Sequence, residues 1–154
     1  MKPELKNNMT HSLITISKNA TAAEAYSVMN SEWIRHLPVI EDTTDYIVGI
    51  ISDRDLLKAP HSTTPIYSLM SSPVRCFDIS TPVRTVVKSM IDNKLSAFLI
   101  TDKSEVAGIV TSEDMLLLLS QLLKDDHSAK WILSEFLVNP VLQRSIDLAA
   151  QAGI

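Results

Sequence analysis

Glycine is scarce in this chain: three in 154 residues. Phosphate loops of the P-loop or dinucleotide-binding kind each need clustered glycines, so neither has a place here. Cysteine is scarcer still, and the single Cys76 excludes an internal disulfide framework and a cysteine-rich zinc site. Basic charge is in deficit, with 14 Lys and Arg against 18 Asp and Glu and a net charge of −4. The basic excess or stripe of a nucleic-acid binder is therefore absent. The longest apolar run, Met115 to Leu119, has five residues, where a spanning helix needs about 20. Residues Met1 to Met9, MKPELKNNM, lack the apolar stretch of a secretory signal. His11, His36, His61 and His127 are scattered without ligand spacing, so no metal centre is expected. These absences make a soluble cytoplasmic protein the expectation, with neither nucleic acid nor membrane as partner.

What is present is ordinary in composition and unusual in order. With 45% hydrophobic and 21% charged residues the chain is globular rather than disordered. Its sequence repeats. Gly49-Ile50-Ile51-Ser52-Asp53-Arg54-Asp55 recurs as Gly108-Ile109-Val110-Thr111-Ser112-Glu113-Asp114, at an offset of 59. Upstream, Val39-Ile40-Glu41-Asp42 matches Leu99-Ile100-Thr101-Asp102 at 60, and Ala20-Thr21 and Met29 match Thr81-Pro82 and Met90 at 61. Single-residue slips are what changes of loop length in a duplicated unit produce, so a repeat of about 60 residues organises most of the chain.

Each copy has the same pattern of elements. An extended stretch (Leu13 to Ile16; Val74 to Phe77) leads to a polar cap at Asn19 to Thr21, or at Ser80, Thr81 and Pro82. A helix follows, with an apolar face at Ala22, Ala25, Tyr26 and Met29, or at Val83, Val86, Val87 and Met90. Then come a strand (His36 to Ile40; Ala97 to Thr101), a polar turn, a second strand (Tyr46 to Ile51; Val106 to Val110), and a helix starting near Ser52 or Thr111. The order is β-α-β-β-α. One such unit is too small to bury its own sheet face, so two packed back to back are expected.

The pattern Gly-aliphatic-aliphatic-Ser/Thr-x-x-Asp after two strands, preceded by Leu37-Pro38-Val39, resembles the cystathionine β-synthase (CBS) domain, and two in tandem resemble a Bateman module. The resemblance leaves out the first few residues and everything after about Leu123. It implies an α/β fold of two β-α-β-β-α CBS units in an intramolecular pseudo-twofold pair, with a C-terminal helical extension. The expected bounds are 10–58 for the first unit, 59–69 for a linker, 70–123 for the second unit and 124–154 for the extension. It also implies regulatory binding of an adenosine-containing ligand (AMP, ADP, ATP, S-adenosylmethionine or NAD(H)) between the units, with AMP or ATP foremost. The residue chemistry agrees. Asp55 or Asp114 can accept both hydrogen bonds from ribose 2′- and 3′-hydroxyls. Ser52 and Thr111 stand at helix starts, where a hydroxyl and free amides favour phosphate. Gly49 and Gly108 let the backbone approach closely just before that turn. A hydroxyl followed three residues later by a carboxylate is also a helix capping box, and that reading stays open.

The copies are unequal. Arg54 and Lys58 lie where they can meet a phosphate tail, whereas Glu113 and Leu117 stand at the matching places of the second copy. The second copy also departs from the family by having Ala97-Phe98 where the first has Leu37-Pro38. In the family's arrangement the first strand of one unit lines the other unit's ligand. That places Cys76 and Phe77 beside Ser52 and Asp55, and Thr15 and Ile16 beside Thr111 and Asp114; Pro38 is a further ligand-binding candidate, and His36, just before Leu37-Pro38, is either another or a surface or strand-end histidine. Phosphate-bearing ligands should then prefer that site.

Other features are blander. Cys76 has no evident histidine partner and reads as a small buried hydrophobe. Asp53, Asp55, Glu113 and Asp114 are ordinary complements to a helix dipole, and no nucleophile-and-base pair stands out, so no catalytic residue is expected. Leu116 to Leu119 put apolar groups on nearly every face of a helix, which favours burial between units or protomers. Beyond the repeat, Ala129, Ile132, Leu133, Phe136 and Leu137 form one apolar face beside Trp131, Asn139-Pro140 ends that helix, and Leu142, Ile146, Ala149 and Ala150 outline another. These pack back on the pair, or serve a dimer or partner. The expectation is a non-catalytic sensor, homodimeric as family members commonly are, acting on a separate effector protein. The alternatives are a structural or dimerisation module with vestigial clefts, or a small enzyme acting on a nucleotide.

Overall fold

A computed structural model describes residues 3–124, and the two helices expected after Leu123 lie outside the described residues. The chain divides after Ser112 into two compact units. The first holds two three-stranded sheets. One contains β1 (Ile16–Ser17), β2 (His36–Ile40) and β3 (Ile47–Ser52), with α1 (Ala22–Glu32) between β1 and β2 and the single-turn α2 (Asp53–Leu56) after β3. The other contains β4 (Cys76–Asp78), β5 (Ala97–Asp102) and β6 (Glu105–Thr111), with α3 (Val83–Asn93) between β4 and β5. In each, the first strand runs parallel to the central one and the third antiparallel to it. α4 (Ser112–Lys124) continues directly from β6, and from Glu113 onward it belongs to the second compact unit.

Strand register corrects the repeat alignment. Ile16 pairs with Val39 and Phe77 with Ile100; Val39 faces Gly49 and Ile100 faces Gly108; His36 faces Ser52 and Ala97 faces Thr111. The offset is therefore 61 through β5 and 59 from β6 onward. No stretch keeps 60, because the β5–β6 turn is two residues shorter. Leu37-Pro38 then corresponds to Phe98-Leu99, not to Ala97-Phe98. The first strands also begin later than expected, at Ile16 and Cys76, and α2 is one turn where α4 has 13 residues.

The burial pattern explains the elements. In β2, Leu37, Pro38 and Val39 are all buried, as a central strand covered on both faces requires. Proline is tolerated there because its partner Ile50 turns its amide and carbonyl outward to Ser71, at 3.0 and 2.9 Å, and β1 ends short of it. Around β2 pack Ile16, Ala25, Met29, Leu37, Val39, Ile51 and Ile66. On the other sheet Val83, Val86, Met90, Phe98, Leu99, Ile100, Ile109 and Val110 are buried. Tyr26, expected on the buried face of α1, is 65% exposed. A helix of radius about 2.3 Å buries only a stripe, and Ala25 and Met29 already fill it.

Each sheet is strapped at its open edge by a segment from elsewhere in the chain. Ser71 bridges Ile50 of β3, and Thr10 bridges Ile109 of β6. The two glycines make room for these straps. A Cβ on Gly49 would collide with the Met70 sulfur and sit 3.1 Å from the Ser71 carbonyl; one on Gly108 would sit 2.5 Å from the Thr10 carbonyl. The close approach at Gly49 is thus to the Met70 side chain and the Ser71 backbone, and at Gly108 to the Thr10 backbone. Ile66 of the expected linker is fully buried against the first sheet, and Leu5, 61 residues earlier, is equally buried.

Candidate functional site

Ser52 ends β3 and caps α2. Its hydroxyl accepts from the Asp55 amide at 3.3 Å, while the Asp55 carboxylate accepts from the Ser52 amide at 3.1 Å and hydroxyl at 2.7 Å. This is a complete capping box. The other carboxylate oxygen accepts from Lys58 Nζ at 2.7 Å. Burial alone would raise the Asp55 carboxyl, but the hydrogen bonds from Lys58 and from Ser52 together hold it below the ordinary carboxylate value. The amides of α2 expected to be free for a phosphate are engaged. Asp53 donates to the Arg35 carbonyl at 3.0 Å, Arg54 to the Asp53 side chain at 2.8 Å, and Asp55 to Ser52. Arg54 and Lys58 extend from this turn as exposed cations.

His36 sits opposite Ser52 across the β2–β3 pair and shares a 2.8 Å hydrogen bond, through Nε2, with the Ser96 hydroxyl of the other half of the repeat. Burial lowers the His36 pKa; Asp53 and Asp55 push it up, and Arg35 and Arg54 push it down. The structure thus gathers His36, Ser52, Arg54, Asp55 and Lys58 at one end of the first sheet. Pro38, two residues along, is fully buried and presents no surface.

The remaining candidates are placed as follows. Cys76, expected to be buried, is exposed at the start of β4, with its thiol 3.9 Å from the Val74 carbonyl and its pKa raised by partial desolvation. Side chains alternate along β4, so Cys76 stays exposed while Phe77 packs edge-on against Phe98 with ring centres 4.9 Å apart. The equivalent pair at the start of the first sheet divides in the same way: Thr15, just before β1, is exposed and Ile16 buried. Thr111 ends β6, half-buried, and Asp114 lies half-buried on the first turn of α4. Leu116 and Leu117, expected to be covered between units or protomers, are 64% and 60% exposed in the single chain, and Leu118 is the buried member of that run.

One hollow escaped sequence reasoning. At the far end of β2, a cavity of about 390 Å³ is lined by Lys18, Asn19, Glu41, Val48, Tyr67, Met70 and Ser72. Lys18 and Glu41 pair across it at 2.6 Å. Its walls come from β1, the β2–β3 region and the strap, so no local motif announces it. Among the described residues, no group of three His, Cys, Asp or Glu could hold a metal ion, and no helix is long and apolar enough to cross a membrane.

Two sheets of one topology, each strapped at its open edge, with a hydroxyl-and-carboxylate turn after the third strand, define a tandem pair of α/β units. The CBS domain family matches residues 4–62 and 66–121, and the chain belongs to that family. The CBS domain pair of protein MJ0100, solved in complex with 5′-methylthioadenosine and S-adenosylmethionine, is 28% identical, with a TM-score of 0.71 over 79% of this chain and 98% of that one. A CBS domain-containing protein of Dictyostelium discoideum is 30% identical over 140 residues, 80% of this chain and 96% of its relative. An inosine-5′-monophosphate dehydrogenase of Methanocaldococcus jannaschii is 30% identical over 105 residues, 68% of this chain but 21% of the dehydrogenase. The chain spans between 21% and 25% of the length of that enzyme and of two further curated relatives it matches.

Proposed function

We propose that this chain is a non-catalytic regulatory module that binds an adenosine-containing ligand between its CBS units and passes occupancy to a separate effector, acting as a homodimer. The observation that carries this reading is the hydroxyl–carboxylate turn, Ser52 with Asp55, repeated in sequence as Thr111 with Asp114. A carboxylate held ionised by hydrogen bonds is a ready acceptor for two ribose hydroxyls. The adenosyl complex of the MJ0100 pair supports the ligand class. Arg54 and Lys58 favour a phosphate-bearing ligand, AMP or ATP, at the Ser52 turn. Phosphate there would be held by these side chains, since the amides of α2 are engaged.

Calorimetric titration of the full chain with AMP, ATP, S-adenosylmethionine and NADH tests this. We expect binding by at least one, weakened about tenfold or more by Asp55→Ala or by Asp114→Ala, the scale of a lost charge-assisted hydrogen bond. No binding by any of the four, or unchanged binding in both variants, rejects the sensor. One observation favours a second reading, a structural module with vestigial clefts: the capping box and Lys58 satisfy Asp55 without a ligand.

A further inference from the structure

The hollow at the far end of β2 is separate from the Ser52 turn. His36, beside that turn, opens β2, and Glu41 follows its last residue; at about 3.4 Å per residue the two stand about 17 Å apart. A cavity of about 390 Å³ lies at the small end of the range for small-molecule sites, roughly 300–1,000 Å³. Its walls divide by chemistry. Val48 and Met70, both packed against the first core, are apolar, and the partly exposed ring of Tyr67 joins them. Lys18 and Glu41, both half-buried, supply a cation and an anion paired at 2.6 Å. Backbone hydrogen bonds fix the two residues. The Lys18 amide donates to the Ile40 carbonyl and its carbonyl accepts from the Tyr67 amide, each at 3.0 Å, while the Glu41 amide donates to the Tyr46 carbonyl at 2.9 Å.

The fold does not need this charge pair. In the second half of the repeat Ile79 stands in the place of Lys18 and makes the same backbone bond, to the Thr101 carbonyl at 2.8 Å. Asp102 stands for Glu41, and Lys6 of the other strap stands for Tyr67. The same turn therefore forms with an isoleucine where the first half has a lysine. An ion pair this open to water also adds little stability, so it yields readily to a ligand.

We infer that this hollow is a second ligand site, for a free α-amino acid with an apolar side chain, its carboxylate on Lys18 and its ammonium on Glu41. The inference does not rest on the adenosyl reading above. The paired charges select a zwitterion. A lone anion would strand Glu41 and a lone cation would strand Lys18, each leaving a half-buried charge alone. An apolar molecule has no use for the pair. An α-amino acid carries both charges on one carbon, close enough to meet two groups that already touch, and it exchanges one ion pair for two charge-assisted ones. Its side chain then lies against Val48, Met70 and Tyr67. Tyr67 and Met70 belong to the strap, so the occupant would tie that segment to the first sheet.

The test is titration of the full chain, its methionines labelled at the methyl carbon, with leucine, methionine, valine and phenylalanine in turn. The Met70 methyl resonance is identified by its absence from a Met70→Leu variant. At millimolar concentration at least one of the four should move that resonance to saturation. The amine and the acid that each lack one charge (for leucine, isopentylamine and isocaproate) should bind at least about tenfold more weakly, and Glu41→Gln and Lys18→Met should weaken the amino acid to the same extent. A Met70 resonance that none of the four moves overturns the proposal. So does an amine or acid that binds as well as its amino acid, or binding that neither substitution weakens. The first measurement uses the unaltered chain, so it stands even where a substitution unfolds, and failure of the adenosyl titrations leaves every one of these outcomes unchanged.

Discussion

At the scale of single residues, the few glycines of the two sheets stand where a strap from elsewhere in the chain comes closest. Left-handed backbone, where glycine is the usual choice, is carried here by Trp33, Asp45, Lys94, Lys103 and Ser104. Lys103 and Ser104, at φ 50° and 72°, form a two-residue hairpin loop between Asp102 and Glu105, with the positive angles of a type I′ turn. Replacing them with Asn-Gly should stabilise the fold by about 1 kcal/mol in urea denaturation. Gly49 and Gly108 tolerate no such exchange. Gly108→Ala should cost about 1–3 kcal/mol, because its Cβ meets the Thr10 carbonyl. Gly49→Ala should cost less, since the Met70 thioether can rotate aside. The glycines were visible in sequence from the first count; what they face was not, because each partner lies in a strap distant along the chain.

At the scale of elements, α1 and α3 show how one apolar pattern is started in two ways. Thr21 and Glu24 build a full capping box on α1, whereas α3 begins behind Pro82 with no side-chain cap. Thr21→Ala should therefore destabilise the chain by about 1 kcal/mol in thermal melts. The helices and the β2 strand were legible because their periods and caps are local. β1 and β4 were not: at two and three residues they are defined by pairing to β2 and β5 rather than by any pattern of their own. The false offset of 60 had a similar origin, since Val39-Ile40 resembles Leu99-Ile100 and only cross-strand register distinguishes them. α2 adds a titrating element. The lowered Asp55 pKa gives stability that is present above the ordinary carboxylate value and lost as pH falls through the lowered one. Asp55→Asn should flatten that acid limb.

At the scale of the whole described chain, His36 and Ser96 join the two halves of the repeat beside the Ser52 turn, and the Ser96 carbonyl accepts the Ser112 amide where α4 begins. Burial favours the neutral ring, so the folded protein takes up the His36 proton less readily than the unfolded chain. Stability should fall as pH drops from the ordinary histidine value through the lowered one, with Asp53 and Asp55 limiting the effect and Arg35 and Arg54 adding to it. His36→Gln should remove that slope in denaturation curves taken between neutral and mildly acid pH. The hydroxyl, carboxylate and cations of the first turn were readable in sequence because they lie within seven residues, Ser52 to Lys58. The partner of His36 was not, because Ser96 is 60 residues away.

The straps carry a consequence for how such a chain arises. Residues 66–71 precede the second sheet in sequence but close the edge of the first, and the segment ending at Thr10 precedes the first sheet but closes the edge of the second. The halves are therefore domain-swapped within one polypeptide. A lone ancestral repeat would complete itself only by exchanging its leading segment with a twin, and duplication followed by fusion would turn that obligate swapped pair into one polypeptide. Cutting the chain between the repeats should accordingly yield fragments that fold when mixed and fail apart.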